Sequence, residues 1–581
     1  MPLATAAMHY GAAIIGNEVE FHVWAPNARH VALRLLRHGQ TEPIELAMTP
    51  TAGGDFILTA EAAAGDRYFY LPDDHPPTPD PVSRLLPEGV HGPTEIVDPA
   101  AFRWTDQAWR GLALEDYILY ELHLGTFSRE GTCEGVIERL EYLRTLGVTA
   151  IELMPVAAFP GTHNWGYDGV SPYAVQASYG GPDALKRLVD AAHACSLAVV
   201  LDVVYNHLGN EGNYLRRFGP YFTARHQTPW GEAINYDQEG CEGVRRYVEE
   251  NALYWISEYH LDGLRLDAVQ TMQDGSPRHI LAEIQDSVQS LAREVGRKVR
   301  IIAESDENDA RLVRAQSQAG YGLDAFWSDD FHHAVHAYFT GERNGYYQDF
   351  GEPQQLVRAL NEGFAFQGEF FRFWQRPRGA PAAGIALPQH VICTQNHDQV
   401  GNRALGERLS QLVPCGVRKL TAALLLLSPH TPLLFMGQEY DEPAPFQFFT
   451  SYSDPELQKA VGEGRRREFK HFDGKDVPDP EDVQTFERSR LNWDFALHGN
   501  PMLAWYRELI ALRKRLVTPG PRTCSAELRD GVIVMRIPRE NPRLLVAAAL
   551  APGAEVKAEA GWRELLSSDD DGYAVRVYEP A

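Results

Sequence analysis

The chain has 581 residues, with 44% hydrophobic, 10% aromatic and 23% charged side chains. It is too long for a single hydrophobic core and too ordered in composition for a disordered, coiled-coil or collagen-like protein. With 54 basic against 79 acidic residues, a net charge of −25, it would on average repel nucleic acids and anionic membranes, so a neutral ligand fits better.

The first fifteen residues, MPLATAAMHYGAAII, lack a basic region ahead of an unbroken apolar stretch and do not read as an export signal. The most apolar segment, 420–436, is split by Ser-Pro-His-Thr-Pro at 428–432. A cytoplasmic location is expected. The six cysteines are scattered without CxxC spacing and read as reduced or buried thiols, not as a disulfide frame or zinc site.

The first 72 residues read as strands: VEFHVWAP (19–26) and VALRLL (31–36) alternate apolar with polar positions, and YFYLP (68–72) is rich in β formers. Seven prolines between Pro76 and Pro99 then suggest a stiff, extended linker.

From Tyr117 onward, short continuous apolar runs alternate with segments of helical period. In chain order the runs are 117–125, 148–156, 197–207, 261–269, 299–305, 323–330, 390–398 and 431–439. The helices expected after them are 136–147, 183–196, 242–260, 279–296, 309–318, 331–341, 416–428 and 501–516. Strands apolar on both faces, each followed by a helix, imply a parallel sheet, and eight such units imply a closed (β/α)8 TIM-type barrel; a doubly wound open sheet is the weaker alternative. Extra length collects in three loops, 208–241, 342–389 and 440–500. The tail alternates again at 531–538, 543–550 and 573–578. The expected domains are an N-terminal β-sandwich (1–90), a catalytic barrel with long insertions (91–517) and a small C-terminal β domain (518–581).

Barrel enzymes carry their chemistry at the C-terminal ends of the strands. The ionisable residues there are Asp202 and His207, Arg265 and Asp267, Glu304, and His397 with Asp398. Any one strand-end Asp is more often a helix cap than a catalyst. Several carboxylates around one Arg are costly unless the cost serves proton transfer or cation stabilisation. Paired carboxylates in an aromatic-rich cleft suggest glycoside cleavage.

These residues carry a resemblance. DVVYNH (202–207), GLRLDAV (263–269), IIAES (301–305) and QNHDQ (395–399) resemble, in order, the four signature regions of the α-amylase superfamily of glycoside hydrolases. The resemblance implies Asp267 as nucleophile, Glu304 as general acid/base and Asp398 as transition-state stabiliser. It implies that Arg265 holds Asp267 ionised, that His207 and His397 bond sugar hydroxyls, and that Tyr167 of GYD (166–168) stacks beneath the sugar. Asp202 is expected to be structural, pairing with Arg265. Asn206 sits where some relatives bind calcium, but no complete oxygen cage is visible and neither metal nor cofactor is assigned.

Within the superfamily, DPVSRLLPEGVHGPTEIVDP (80–99), AESDENDARL (303–312), FWSDDFHHAVHAYFTGERNGYYQDF (326–350) and QNHDQVGNRALGERL (395–409) closely resemble the maltooligosyltrehalose trehalohydrolase family. The resemblance implies a retaining hydrolase that frees trehalose from a trehalose-ended glucan, acting after an enzyme that forms that glucan. Glu307 departs from the more usual apolar residue. A branching or debranching enzyme is the alternative within the superfamily; a non-catalytic glucan-binding protein is the alternative from another class, opposed by the intact carboxylates.

Asp329 and Asp330 are expected either to cap the helix behind them or to touch trehalose hydroxyls. His332 and His336 have the i,i+4 spacing of a zinc pair but no HExxH, so His332, His333 and His336 read as a wet helix N-terminus lining the cleft. Arg465, Arg466 and Arg467 read as a solvated face.

Overall fold

The computed structural model describes residues 9–469, 477–497, 499–557 and 559–581. Residues 1–8, at the head of the segment read for an export signal, and 470–476 within the third long loop lie outside this set.

Two four-stranded antiparallel sheets form the N-terminal sandwich. One orders Gly11–Ile15, Glu18–Trp24, Asp55–Ala60 and Thr49–Pro50; the other orders Ile44–Ala47, Val31–Leu36, Arg67–Pro72 and Thr94–Glu95. Val31–Leu36 and Arg67–Pro72 bury every second residue, the period that alternation dictates. The proline-rich stretch is not a free linker. Asp80 lies buried inside it and accepts a 2.5 Å hydrogen bond from Tyr68, while the Pro81 carbonyl accepts one from Tyr247 on a barrel helix. The prolines stiffen a packed crossing between the sandwich and the barrel.

Eight parallel strands close the barrel: β1 (Leu119–Leu122), β2 (Ala150–Leu153), β3 (Ala198–Val203), β4 (Gly263–Leu266), β5 (Arg300–Ala303), β6 (Ala325–Trp327), β7 (His390–Cys393) and β8 (Thr431–Phe435). Nearly every residue in them is buried, which is why they read as unbroken apolar runs. Helices follow seven of the eight. The helix expected over 309–318 is absent; two single 3-10 turns, Ala310–Leu312 and Gln316–Gln318, stand in its place. Only Ala310, Leu312 and Val313 are buried there, and the next five residues offer no apolar side chain larger than the exposed Ala315 to extend a stripe.

The long loops have structure of their own. Residues 208–241 hold the hairpin Phe222–Thr228/Gly231–Ile234. Residues 342–389 hold the helix Pro353–Glu362 and a small hairpin, Phe370–Phe371/Arg376–Pro377. Residues 440–500 hold the helices Pro455–Glu468 and Val483–Arg488. At the C-terminus, the three expected strands join Ser525–Arg529 and Trp562–Asp570 in a five-stranded antiparallel sheet. That sheet docks on the helix Cys415–Leu427 through a 2.7 Å Lys419–Asp570 ion pair. No described helix is long and apolar enough to cross a membrane.

Trp24 keys the sandwich to the barrel. A Cβ on Gly243, in the helix Cys241–Glu258, would lie 2.2 Å from the Trp24 ring, so the helix can approach this closely only with glycine there.

Under the barrel, His193 bridges two buried carboxylates, Asp106 and Asp262, each at 2.9 Å, and Asp106 also meets His260 at 2.8 Å. Burial pulls the His193 pKa down, but hydrogen bonds to the two acids outweigh it and leave the pKa raised. A raised imidazole stabilises the fold fully below its ordinary range near 6.5 and loses that contribution as pH climbs through the raised value. We expect His193→Gln to lower the Tm most at pH 6, with the gap to wild type narrowing toward pH 9 in thermal unfolding. A gap that does not depend on pH would contradict this reading.

Candidate active site

The C-terminal ends of the strands open into a cavity of about 380 Å3 whose lining includes Tyr167, His207, Asp267, Glu304, Asp329, His397 and Asp398. Arg265, fully buried near the end of β4, lies beneath them. Its Nη1 donates to Asp202 at 2.8 Å and to Asp267 at 2.7 Å. Parallel register sets Asp202 of β3 directly beside Arg265 of β4. The guanidinium lies over the ring of Trp327, 4.3 Å from its centroid.

Asp267 follows β4. One carboxylate oxygen accepts from Arg265 and the other from Asn206 Nδ2 at 2.7 Å, so the group is held at both ends. The next residue, Ala268, has φ +41°, a left-handed conformation unusual for a residue with a Cβ. That turn aims the Ala268 N–H at Glu304 Oε2, 2.5 Å away. Glu304, just past β5, is raised well above the ordinary carboxylate range. Burial is the main cause, with Asp267, Asp398 and Asp329 adding to it against the opposing pull of Arg265. A carboxyl kept protonated beside one fixed by a guanidinium is the division of labour that acid-assisted displacement requires.

Asn396 caps the short helix His397–Gly401 by accepting from the Gln399 N–H, which sets Asp398 in its first turn. The Asp398 carboxylate accepts from Asn402 at 3.1 Å. His397 is buried, and burial alone would depress its pKa, yet Asp398 and Glu121 raise it to about 9. Carrying two protons, the ring donates from Nδ1 to Glu121 at 2.5 Å and from Nε2 to Tyr167 at 2.8 Å, and Tyr167 donates on to Asp202 at 2.6 Å. An unbroken chain thus runs from Glu121 on β1 to Asp267 after β4. His207 stacks on Trp230 at 4.5 Å, and its Nε2 bonds the Tyr167 carbonyl at 3.0 Å.

Asp330, the histidine helix and Arg465 depart from expectation, and Asp329 takes one of its two expected places. Asp330 does not reach the cavity: its Oδ2 accepts from Asn308 and from the backbone of Ala365 and Phe366, and its Oδ1 pairs with Arg378 at 2.9 Å. It anchors the second insertion to the barrel. Asp329 faces the cavity without capping the helix, and burial lifts its pKa to about 7. The helix that carries His332, His333 and His336 is buried, not wet; the nitrogens of His332 meet the Thr394 carbonyl and Tyr347, His336 meets Glu342, and only His333 lines the cavity. Arg465 is no surface charge either. It is buried against Phe448 and Phe469 and donates to the Gly401 carbonyl at the end of the Asp398 helix.

Much of the wall escapes sequence reasoning. Phe371, Phe373, Trp374 and Arg378 come from the second insertion, with Tyr346 ahead of them, and Trp165, Trp230 and Phe448 come from other loops. The dense aromatic run FFRFW at 370–374 was the available signal.

Comparison with known proteins agrees with this geometry. The α-amylase catalytic-domain family model matches residues 97–230. Malto-oligosyltrehalose trehalohydrolase of Rhizobium sp. (strain M-11) is 47% identical over 96% of this chain and 94% of its own length. The enzyme of that name from Saccharolobus solfataricus is 46% identical over 90% and 89%. A crystal structure titled putative alpha amylase from Salmonella typhimurium superposes with a TM-score of 0.90 at 39% identity, covering 99% of this chain and all of that one. Barrel, cleft and family model together define a glycoside hydrolase of the α-amylase type. Identity at this level over nearly the whole length narrows the assignment further, and the chain belongs to the malto-oligosyltrehalose trehalohydrolase family.

With Glu304 as the acid, activity falls as pH rises through its raised pKa, giving an alkaline limb. We expect Glu304→Gln to slow release of a poor leaving group such as trehalose by about 10²-fold or more, and that of an activated aryl glycoside far less. The alkaline limb of any residual rate should flatten. Equal loss on both substrates with the limb intact would remove Glu304 from the role.

Proposed function

We propose that this protein hydrolyses the α-1,4 bond between the terminal trehalose and the maltooligosyl part of maltooligosyltrehalose, with retention at the anomeric carbon. The reading rests chiefly on one arrangement: Asp267 gripped at both oxygens by Arg265 and Asn206, facing the same cavity as the buried, pKa-raised Glu304. The names of the relatives supply the substrate; the site supplies a way to cleave it.

In the first step Asp267 attacks the anomeric carbon and forms the glycosyl-enzyme while Glu304 gives its proton to the departing trehalose oxygen. Water then enters, Glu304 takes a proton from it, the water oxygen bonds to the anomeric carbon as the bond to Asp267 breaks, and the maltooligosaccharide leaves with its original α configuration. Asp398 faces the positive charge that develops on the sugar ring. Arg265 is a positioning residue, since it acts through Asp267. His207, His397, Tyr167 and Asp329 supply polar and aromatic wall for the sugar on either side of the bond. Each step uses side chains of this chain alone, and the neutral substrate suits a net charge of −25. We place the reaction in the cytoplasm, after an enzyme that converts a maltooligosaccharide end into a trehalosyl end.

Incubation with maltotriosyltrehalose, followed by proton NMR, tests the whole reading. Free trehalose and the α-anomer of maltotriose are expected first, with β-anomer appearing only on mutarotation. The β-anomer first, or no trehalose, would overturn it. Asp267→Asn should cut the rate by about 10³-fold or more with unchanged thermal unfolding, because the amide is nearly isosteric but cannot form the intermediate.

A further inference from the structure

Among the described residues, His9, His22 and Asp55 are the one group of three His, Cys, Asp or Glu side chains whose ligand atoms converge, all within 4.8 Å of one another. They lie on the N-terminal sandwich, and none lines the catalytic cavity. Their convergence follows from strand register. Trp24 stands opposite Asp55 and His22 opposite Ile57, so His22 and Asp55 are diagonal neighbours on one face of the sheet. On the other side Gly11 stands opposite His22, and its positive φ of 102° turns the chain just before the strand, where His9 sits.

His22 is 8% exposed, and its Nε2 has no hydrogen-bond partner. Asp55 is half-buried, but its Oδ1 is itself out of solvent contact and unpartnered, although only 3.7 Å away. Two buried polar atoms turned toward each other, too far apart to bond and without other partners, are costly as they stand. The His9 ring packs 4.6 Å from that of His22, and the His9 backbone N–H reaches Glu250 on the barrel helix Cys241–Glu258.

We propose that His9, His22 and Asp55 bind one divalent transition-metal ion of the zinc type. Two imidazoles and a carboxylate suit zinc, copper or nickel far better than magnesium or calcium, which want oxygen ligands. Tetrahedral zinc brings its ligand atoms to about 3.3–3.5 Å from one another, so small side-chain rotations close the group around the ion, and water takes the fourth position. Bound there, the ion clips the segment entering the first strand to the two strands beside it. Its role is stability of the sandwich, not catalysis.

Full-length protein stripped with EDTA and dialysed is titrated with zinc chloride by calorimetry, alongside His22→Gln, Asp55→Asn and His9→Ala. Wild type should bind one zinc per chain and gain about 2 °C or more in Tm at saturation. Each variant should bind about tenfold or more weakly and lose the Tm gain. Magnesium chloride should give neither effect. Should His22→Gln fail to fold, the exposed His9 still carries the test, with circular dichroism of His9→Ala unchanged. No saturable zinc binding by wild type would overturn the proposal, as would variants that bind zinc like wild type. The latter result would move the ion to another site, such as a thiol.

Discussion

Removing a guanidinium from water to the centre of a barrel costs several kcal/mol even after the protein relaxes, and only well-formed partners offset that cost. Arg265 has them: Asp202 on the neighbouring strand, Asp267 two residues on, and the face of Trp327. Each partner is thereby fixed. Asp202 receives Tyr167, Tyr167 receives His397, and His397 is held by Glu121, so the positions of groups on five different segments follow from one cation. Removing either member of such a buried pair leaves the other uncompensated, at about 3–5 kcal/mol. The orientation of Asp267 and the stability of the barrel interior are therefore one problem.

The same cation divides the carboxyls. Asp267 bonds it at 2.7 Å, while Glu304 stands 3.7 Å from its other nitrogen with no direct hydrogen bond to it. About one ångström separates the group that receives a full charge-assisted bond from the group that burial drives toward the neutral form. His397 adds a second buried positive charge on the far side, next to Asp398. The cleft is an acidic region organised by two cations.

Much of this was legible in the sequence, for definite reasons. A strand buried on both faces is an unbroken apolar run, so the eight barrel strands stand out, and the chemistry follows them because Asp202, Arg265, Asp267 and Glu304 sit where those runs end. Asp330 and Arg465 were misread because sequence position cannot say whether a charge meets solvent or a partner: Asp330 has its lone pairs filled from residues 308, 365, 366 and 378, all remote in the chain. The 309–318 helix failed because alanine and glutamine permit a helix without supplying the apolar stripe that anchors one. The cleft wall contributed by 370–378 depends on how a long insertion folds back over the barrel, and no local pattern encodes that.

The contact of Trp24 with Gly243 bears on how this architecture can change. An indole seated on a helix with no room for even a methyl group leaves the sandwich neither slack to slide nor a surface to swivel upon. The sandwich and the barrel thus meet through a shared, closely fitted contact. It also makes the two parts poor units of exchange. A sandwich borrowed from a relative would need both halves of the joint, the tryptophan on the strand and the glycine on the helix, so the evolutionary unit is larger than either domain.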